Sequence, residues 1–125
     1  MVDYISMGAI PVYVGFCTDG KAFKKELKRL EIKDKCSFLN PKAAGTTHFF
    51  QDSEGRSTCI ICVPKKPKGN PTKSQVIALI AHEVVHAWQE CELQMNEKAA
   101  GHEIEAYNIQ WILQCCLDIY YGEEL

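Results

Sequence analysis

Residues 72–88 read TKSQVIALIAHEVVHAW, and this stretch decides how the rest of the chain is read. Thr72 and Gln75 have the spacing of a capping box, in which each side chain satisfies a free backbone N–H of the first helical turn. Val76, Ile77, Leu79, Ile80, Val84, Val85 and Trp88 then make the helix apolar around most of its circumference. A helix of that kind, running to about Leu93, is expected to be central and buried. Three polar side chains interrupt it: His82, Glu83 and His86.

Histidines four apart stand one turn above each other on the same helical face, so both imidazoles can reach one metal ion. Glu83 is rotated about 100° from His82, beside such an ion rather than on it. A base must lie there to take a proton from a metal-bound water. Three protein ligands with a fourth position left for water distinguish a catalytic zinc site from a closed structural one. On a buried helix, each of these polar groups without a partner would cost roughly 1–3 kcal/mol, and a metal accounts for all three together.

The segment His82-Glu83-Val84-Val85-His86 resembles the HExxH signature of zincin metallopeptidases. The downstream helix resembles the gluzincin arrangement, in which a Glu of a following helix, often in a Glu-x-x-Ala pattern, is the third ligand. Glu103-Ile104-Glu105-Ala106 stands 17 residues after His86 and fits that pattern. Its Glu-x-Glu-Ala is also similar to that of ImmA/IrrE-type metallopeptidases and, extended by Tyr107, to small phage-type HExxH proteins. The resemblance covers residues 72–113. It implies zinc held by His82, His86 and Glu103, with Glu83 as catalytic base, and Ala106 small enough for two helices to approach.

Glu105 is the alternative third ligand. It lies about 200° from Glu103, so only one of the two faces the metal, and Glu105 shares a stripe with Ile109, Ile112 and Cys116. His102 is a further candidate, read as a helix-start residue because the glycine-containing spacing of His-ligand zincins is absent. The unused Glu could accept a hydrogen bond from a ligating imidazole. Tyr107 stands one turn after Glu103, either near the site or packed at the helix interface. His48 reads as a half-exposed strand residue rather than a ligand.

Working outward, residues 64–71 hold Pro64, Pro67 and Pro71 with Gly69 and Asn70, which forbids regular structure. Before them, Thr46–Gln51 and Arg56–Val63 are strand-like and flank the turn Asp52-Ser53-Glu54-Gly55. Zincins hold an extended peptide against an edge strand, and Arg56–Val63 is either the candidate for that role or simply the core of the sheet, which its apolar run allows equally. Val12–Phe16 is a further strand. Thr18 or Asp19 then caps a helix to about Leu30, with Phe23, Leu27 and Leu30 on one face. Residues 31–45 read as irregular. After Met95 to Gly101, a connecting loop, a last helix spans about His102 to Tyr120 with Ile109, Ile112, Leu113 and Cys116 on its core stripe. The chain is predicted to be one domain, 1–125. Its fold class is α+β, zincin-like, with a small mainly antiparallel sheet and one helix, followed by the metal helix and the third-ligand helix.

The 125 residues are 46% hydrophobic and 24% charged, with a formal net charge of -2. That balance gives no electrostatic case for nucleic acid, and Lys65, Lys66 and Lys68 read as a solvated loop. No segment approaches the ~20 apolar residues of a membrane span. The apolar stretch Met7 to Phe16 is broken by Pro11 and lacks both a basic lead and a cleavage site, unlike an export signal. Seven cysteines, an odd count spread through core-like segments, are unlike a disulfide framework. The expectation is a cytoplasmic chain with reduced thiols. Cys59 and Cys62, three apart on a strand, face opposite sides and are read as separate buried thiols rather than half a zinc site. No cysteine has an adjacent His to activate it, which argues against a thiol enzyme.

The functional expectation is a small zinc metallopeptidase with a peptide or protein substrate, Zn2+ as its cofactor, and neither nucleic acid nor membrane as partner. The alternative is a non-catalytic zinc-binding regulatory or interaction protein with the same fold. Substrate specificity and oligomeric state are not written in these residues.

Overall fold

The alternating burial of one central strand organises the molecule. In β4 (Ser57–Cys62), Cys59 and Ile61 point to one face of the sheet and Ile60 and Cys62 to the other, and all four are fully buried. A strand covered on both faces reads as a continuous apolar run, which Thr58–Val63 is. The computed structural model describes residues 1–95 and 101–122. Within them, β1 (Asp3–Ile5), β2 (Tyr13–Cys17), β3 (Thr46–Gln51) and β4 form one sheet of order β1-β2-β4-β3.

One helix, α1 (Gly20–Arg29), covers one face of this sheet, with Phe23 and Leu27 packed over Cys17, Ile60 and Cys62. Two helices, α2 (Lys73–Gln94) and α3 (His102–Tyr121), cover the other. There Ile80, Val84, Trp88, Ile112 and Cys116 close over Val14, Phe16, Cys59 and Ile61. The architecture is α+β, a small mixed sheet between one helix and two.

The β1/β2 and β3/β4 ladders are antiparallel, but the central β2/β4 ladder is parallel, so the sheet is mixed. After β2, α1 and the irregular segment behind it lead into β3, which runs opposite to β2, and the hairpin turn then reverses the chain so that β4 enters alongside β2 in the same direction. The position of β4 decides between its two readings in favour of the sheet core. It lies between β2 and β3, both its backbone edges are paired, and it cannot receive an extended peptide; the edges are β1 and β3. β1 went unanticipated because three residues are too short to show a period.

Local chemistry accounts for the element ends. Asp19, not Thr18, caps α1, its Oδ1 accepting from the Lys21 N–H at 3.1 Å. Both halves of the α2 capping box form: Gln75 N–H donates to Thr72 Oγ1 at 3.2 Å, and Thr72 N–H to Gln75 Oε1 at 2.8 Å. In the hairpin, Asp52 Oδ1 accepts from the backbone N–H groups of Glu54 and Arg56, and Gly55 supplies φ 78°. The expected loop from Met95 to Gly101 lies outside the described residues between 96 and 100.

α2 is not buried all round. Val76, Ile80, Glu83, Val84, Ala87, Trp88 and Cys91 form its buried stripe, while Ala78, His82, Val85 and His86 face outward. The sheet and α3 lie against one side of the helix, and its apolar outer positions remain at the surface. No helix among the described residues is long and apolar enough to cross a membrane.

Candidate metal centre

The helical period separates the three polar residues of α2 into two settings. His82 and His86 stand on the outward flank, their ring centroids 4.8 Å apart and their planes at 77°. Glu83 falls on the inward stripe, between Ile80 and Ala87, and is 5% exposed. The cost of burial expected for three polar side chains therefore falls on Glu83 alone: both imidazoles are exposed and need no metal to offset burial.

A carboxylate in a core stripe needs a partner, and β3 supplies it. Thr47 Oγ1 donates to Glu83 Oε1 at 2.7 Å; the Glu83 carbonyl, at 3.1 Å from the same hydroxyl, is the weaker acceptor for its single proton. Gly45, just before β3, lets this approach happen. A Cβ there would stand 3.2 Å from Leu79 Cδ1 and 3.3 Å from Glu83 Cγ. Glu83 Oε2 has no partner among the described residues, and no side-chain oxygen or nitrogen there is both sealed from solvent and unbonded. One oxygen is thus anchored and the other open.

His86 is also oriented. Its Nδ1 lies 3.1 Å from Gln89 Oε1, one turn on. With a carbonyl oxygen as acceptor, Nδ1 carries the proton and Nε2 keeps its lone pair free for a ligand. Gln89, not the unused Glu of α3, takes this supporting role, and its i, i+3 spacing from His86 is the signal for it. Thr47 and Gly45 had no such signal, because 36 residues separate Thr47 from Glu83.

α3 departs further from expectation. It turns Glu105, not Glu103, toward α2, where Glu105 Oε2 accepts from the indole N–H of the buried Trp88 at 3.2 Å. Glu103 and His102 are exposed in the first turn of α3. Ala106, expected at the helix contact, faces solvent instead, and Tyr107 is 65% exposed. The inward stripe of Ile112 and Cys116, with Ile109 and Leu113 half-buried, carries Glu105 with it. Among the described residues, no three His, Cys, Asp or Glu side chains converge to hold a metal ion. The donor set fits a zinc ion in part. Two neighbouring imidazoles, one with Nε2 free, suit its preference for nitrogen ligands, and among the described residues no α3 carboxylate is placed with them.

The remaining titratable groups lie elsewhere. His48 is buried rather than half-exposed, on the α1 face beside Phe23 and Phe50, with Nε2 2.9 Å from the Phe38 carbonyl oxygen. All seven cysteines are free. Cys59 and Cys62 face opposite sides of the sheet, as strand alternation requires. Burial pushes both thiols far above the ordinary range and raises Cys91 to about 11, which leaves them inert as nucleophiles.

No protein-family model, curated protein or solved structure matches this chain.

Proposed function

We propose that this chain is a small zinc-dependent hydrolase of the zincin type, acting on a peptide bond. The observation that carries the reading is a nearly buried Glu83 carboxylate, anchored through one oxygen, beside two outward imidazoles one helical turn apart. His82 and His86 would hold the ion, with a carboxylate of α3 completing the set: Glu103 by its spacing in the sequence, or Glu105 by its inward orientation. When bound, zinc supplies Lewis-acid polarisation of a carbonyl and lowers the pKa of a water.

The chain's own groups do the rest. Thr47 holds Glu83 Oε1, so Oε2 is the atom that accepts the proton of the attacking water and returns it to the leaving amine. Gln89 keeps the His86 proton on Nδ1. β3 is an edge strand and carries Thr47, so a peptide paired along its free side would run past Glu83.

A second reading, a zinc-binding interaction protein without turnover, is favoured by one observation: among the described residues the imidazole pair has no third ligand beside it. Metal analysis and a peptide-library cleavage screen separate the two. Glu83→Gln is expected to abolish cleavage while zinc stays bound at one equivalent per chain. Full activity in that variant refutes the role of Glu83, and bound zinc with no cleavage of any library member favours the second reading. Glu103→Gln and Glu105→Gln, compared by zinc titration, identify the ligand: its loss is expected to weaken binding by at least about tenfold, since losing even an outer-shell partner of a metal ligand costs that much. A wild-type protein that takes up no divalent cation refutes both readings.

A further inference from the structure

A groove of about 740 Å³ opens where β3 begins and β4 ends, between the irregular segment before β3, the proline-rich segment 64–71 and the first turns of α2. Its wall is apolar at Leu39, Val76 and Leu79, and Lys42, Lys66 and Lys68 line it as well. Leu79 joins the groove to the candidate centre. Its Cδ1 and Glu83 Cγ lie 3.2 and 3.3 Å from the position a Gly45 Cβ would take, and Leu79 precedes Glu83 by a single helical turn.

The charge in this groove has one sign. No Asp or Glu lines it, the first turn of α2 carries no acid, and none of the three lysines forms an ion pair among the described residues. Neighbouring lysines are differently used: Lys65 donates to the Tyr120 carbonyl and lies 4.6 Å from the Tyr120 ring centroid, and Lys73 lies 4.9 Å from that of Tyr121. The Tyr120 hydroxyl lies 3.0 and 3.1 Å from the carbonyl oxygens of Pro64 and Lys65, which share its one proton, and this ties the start of the segment to α3. Three prolines restrict it further. Lys66 and Lys68 are thus presented on a constrained backbone, which lowers the entropic cost of using them in binding.

We infer that this groove receives an acidic peptide segment with aliphatic side chains, adjoining the scissile bond. Its apolar side chains would seat on Leu39 and Leu79, and its carboxylates would meet Lys42, Lys66 and Lys68. Nucleic acid fits less well, because no aromatic ring lines the groove for a base to stack on. The inference rests on the peptidase reading for its purpose, but binding tests it without turnover.

The experiment measures anisotropy of two labelled decapeptides on the Glu83→Gln protein, one alternating Glu and Leu, the other Lys and Leu. The acidic peptide is expected to bind at least about tenfold tighter at low salt, as three exposed ion pairs together allow. That margin should close at about 0.5 M salt, where the Debye length is a few ångströms. The triple variant K42Q/K66Q/K68Q should lose the preference. Equal binding of the two peptides, or a preference that survives in the triple variant or at high salt, overturns the assignment. So does a single-stranded oligonucleotide that binds through the same lysines more tightly than the acidic peptide. If the variant binds the acidic peptide but zinc-loaded wild-type protein cleaves nothing, the groove stands and the hydrolase reading falls; wild-type cleavage without charge preference in binding gives the reverse.

Discussion

Thr47→Val tests how Glu83 is held, and it can be judged without knowing the substrate. Valine nearly matches threonine in shape and strand preference, so the change removes the hydroxyl and little else. The bond lost is 2.7 Å long and made to a carboxylate only 5% exposed. Hydrogen bonds to charged groups contribute about 1.5–3 kcal/mol, and the bared oxygen keeps its desolvation cost, so a loss of about 2 kcal/mol is expected. For a domain of this length that lowers Tm by roughly 7 °C. Thermal and urea unfolding of Thr47→Val, Glu83→Leu and the double variant form a cycle. Glu83→Leu places an apolar side chain on an apolar stripe, so it is expected to raise stability while abolishing activity, and Thr47→Val in that background should cost under about 0.5 kcal/mol. Equal costs for Thr47→Val in both backgrounds would refute the coupling, and with it the claim that β3 positions the base.

Gly45→Ala sets a new Cβ 3.2 Å from Leu79 Cδ1 and 3.3 Å from Glu83 Cγ, both side-chain atoms able to yield a few tenths of an ångström. Stability is expected to change by under about 1 kcal/mol, because the strain is offset by a stiffer unfolded chain, while kcat falls with KM little changed; an unaltered kcat counts against a tightly placed Glu83. In the hairpin turn, burial pushes the Asp52 carboxyl up, but the Arg56 and Glu54 N–H groups and the Arg56 guanidinium outweigh it and hold its pKa below the usual value. Its stabilisation is therefore present above the unfolded value of about 3.9 and lost as pH falls through the folded one. The stability gap between wild type and Asp52→Asn should be full at neutral pH and narrow in acid, and a gap independent of pH would show that the carboxylate charge is not what the turn uses.

Much of this molecule follows from short-range patterns. A capping box at Thr72 and Gln75, a four-residue interval between His82 and His86, and strand alternation at Cys59 and Cys62 each depend on neighbours within about one or two turns. Those relations are present in the chain before it folds, so the start of α2, the shared face of the imidazoles and the opposed thiols were all legible. Long-range packing decided what local periodicity could not. The parallel β2/β4 ladder makes β4 central and leaves β3 as the edge beside Glu83. The rotation of α3 about its axis sends Glu105 to Trp88 and leaves Glu103 in solvent. Hydropathy of α2 suggested burial on every side, but only the sheet and α3 lie against it, so Glu83 is enclosed while His82 and His86 stay open. Periodicity states which residues share a face of an element; only the packed neighbours decide which face is covered, and by what.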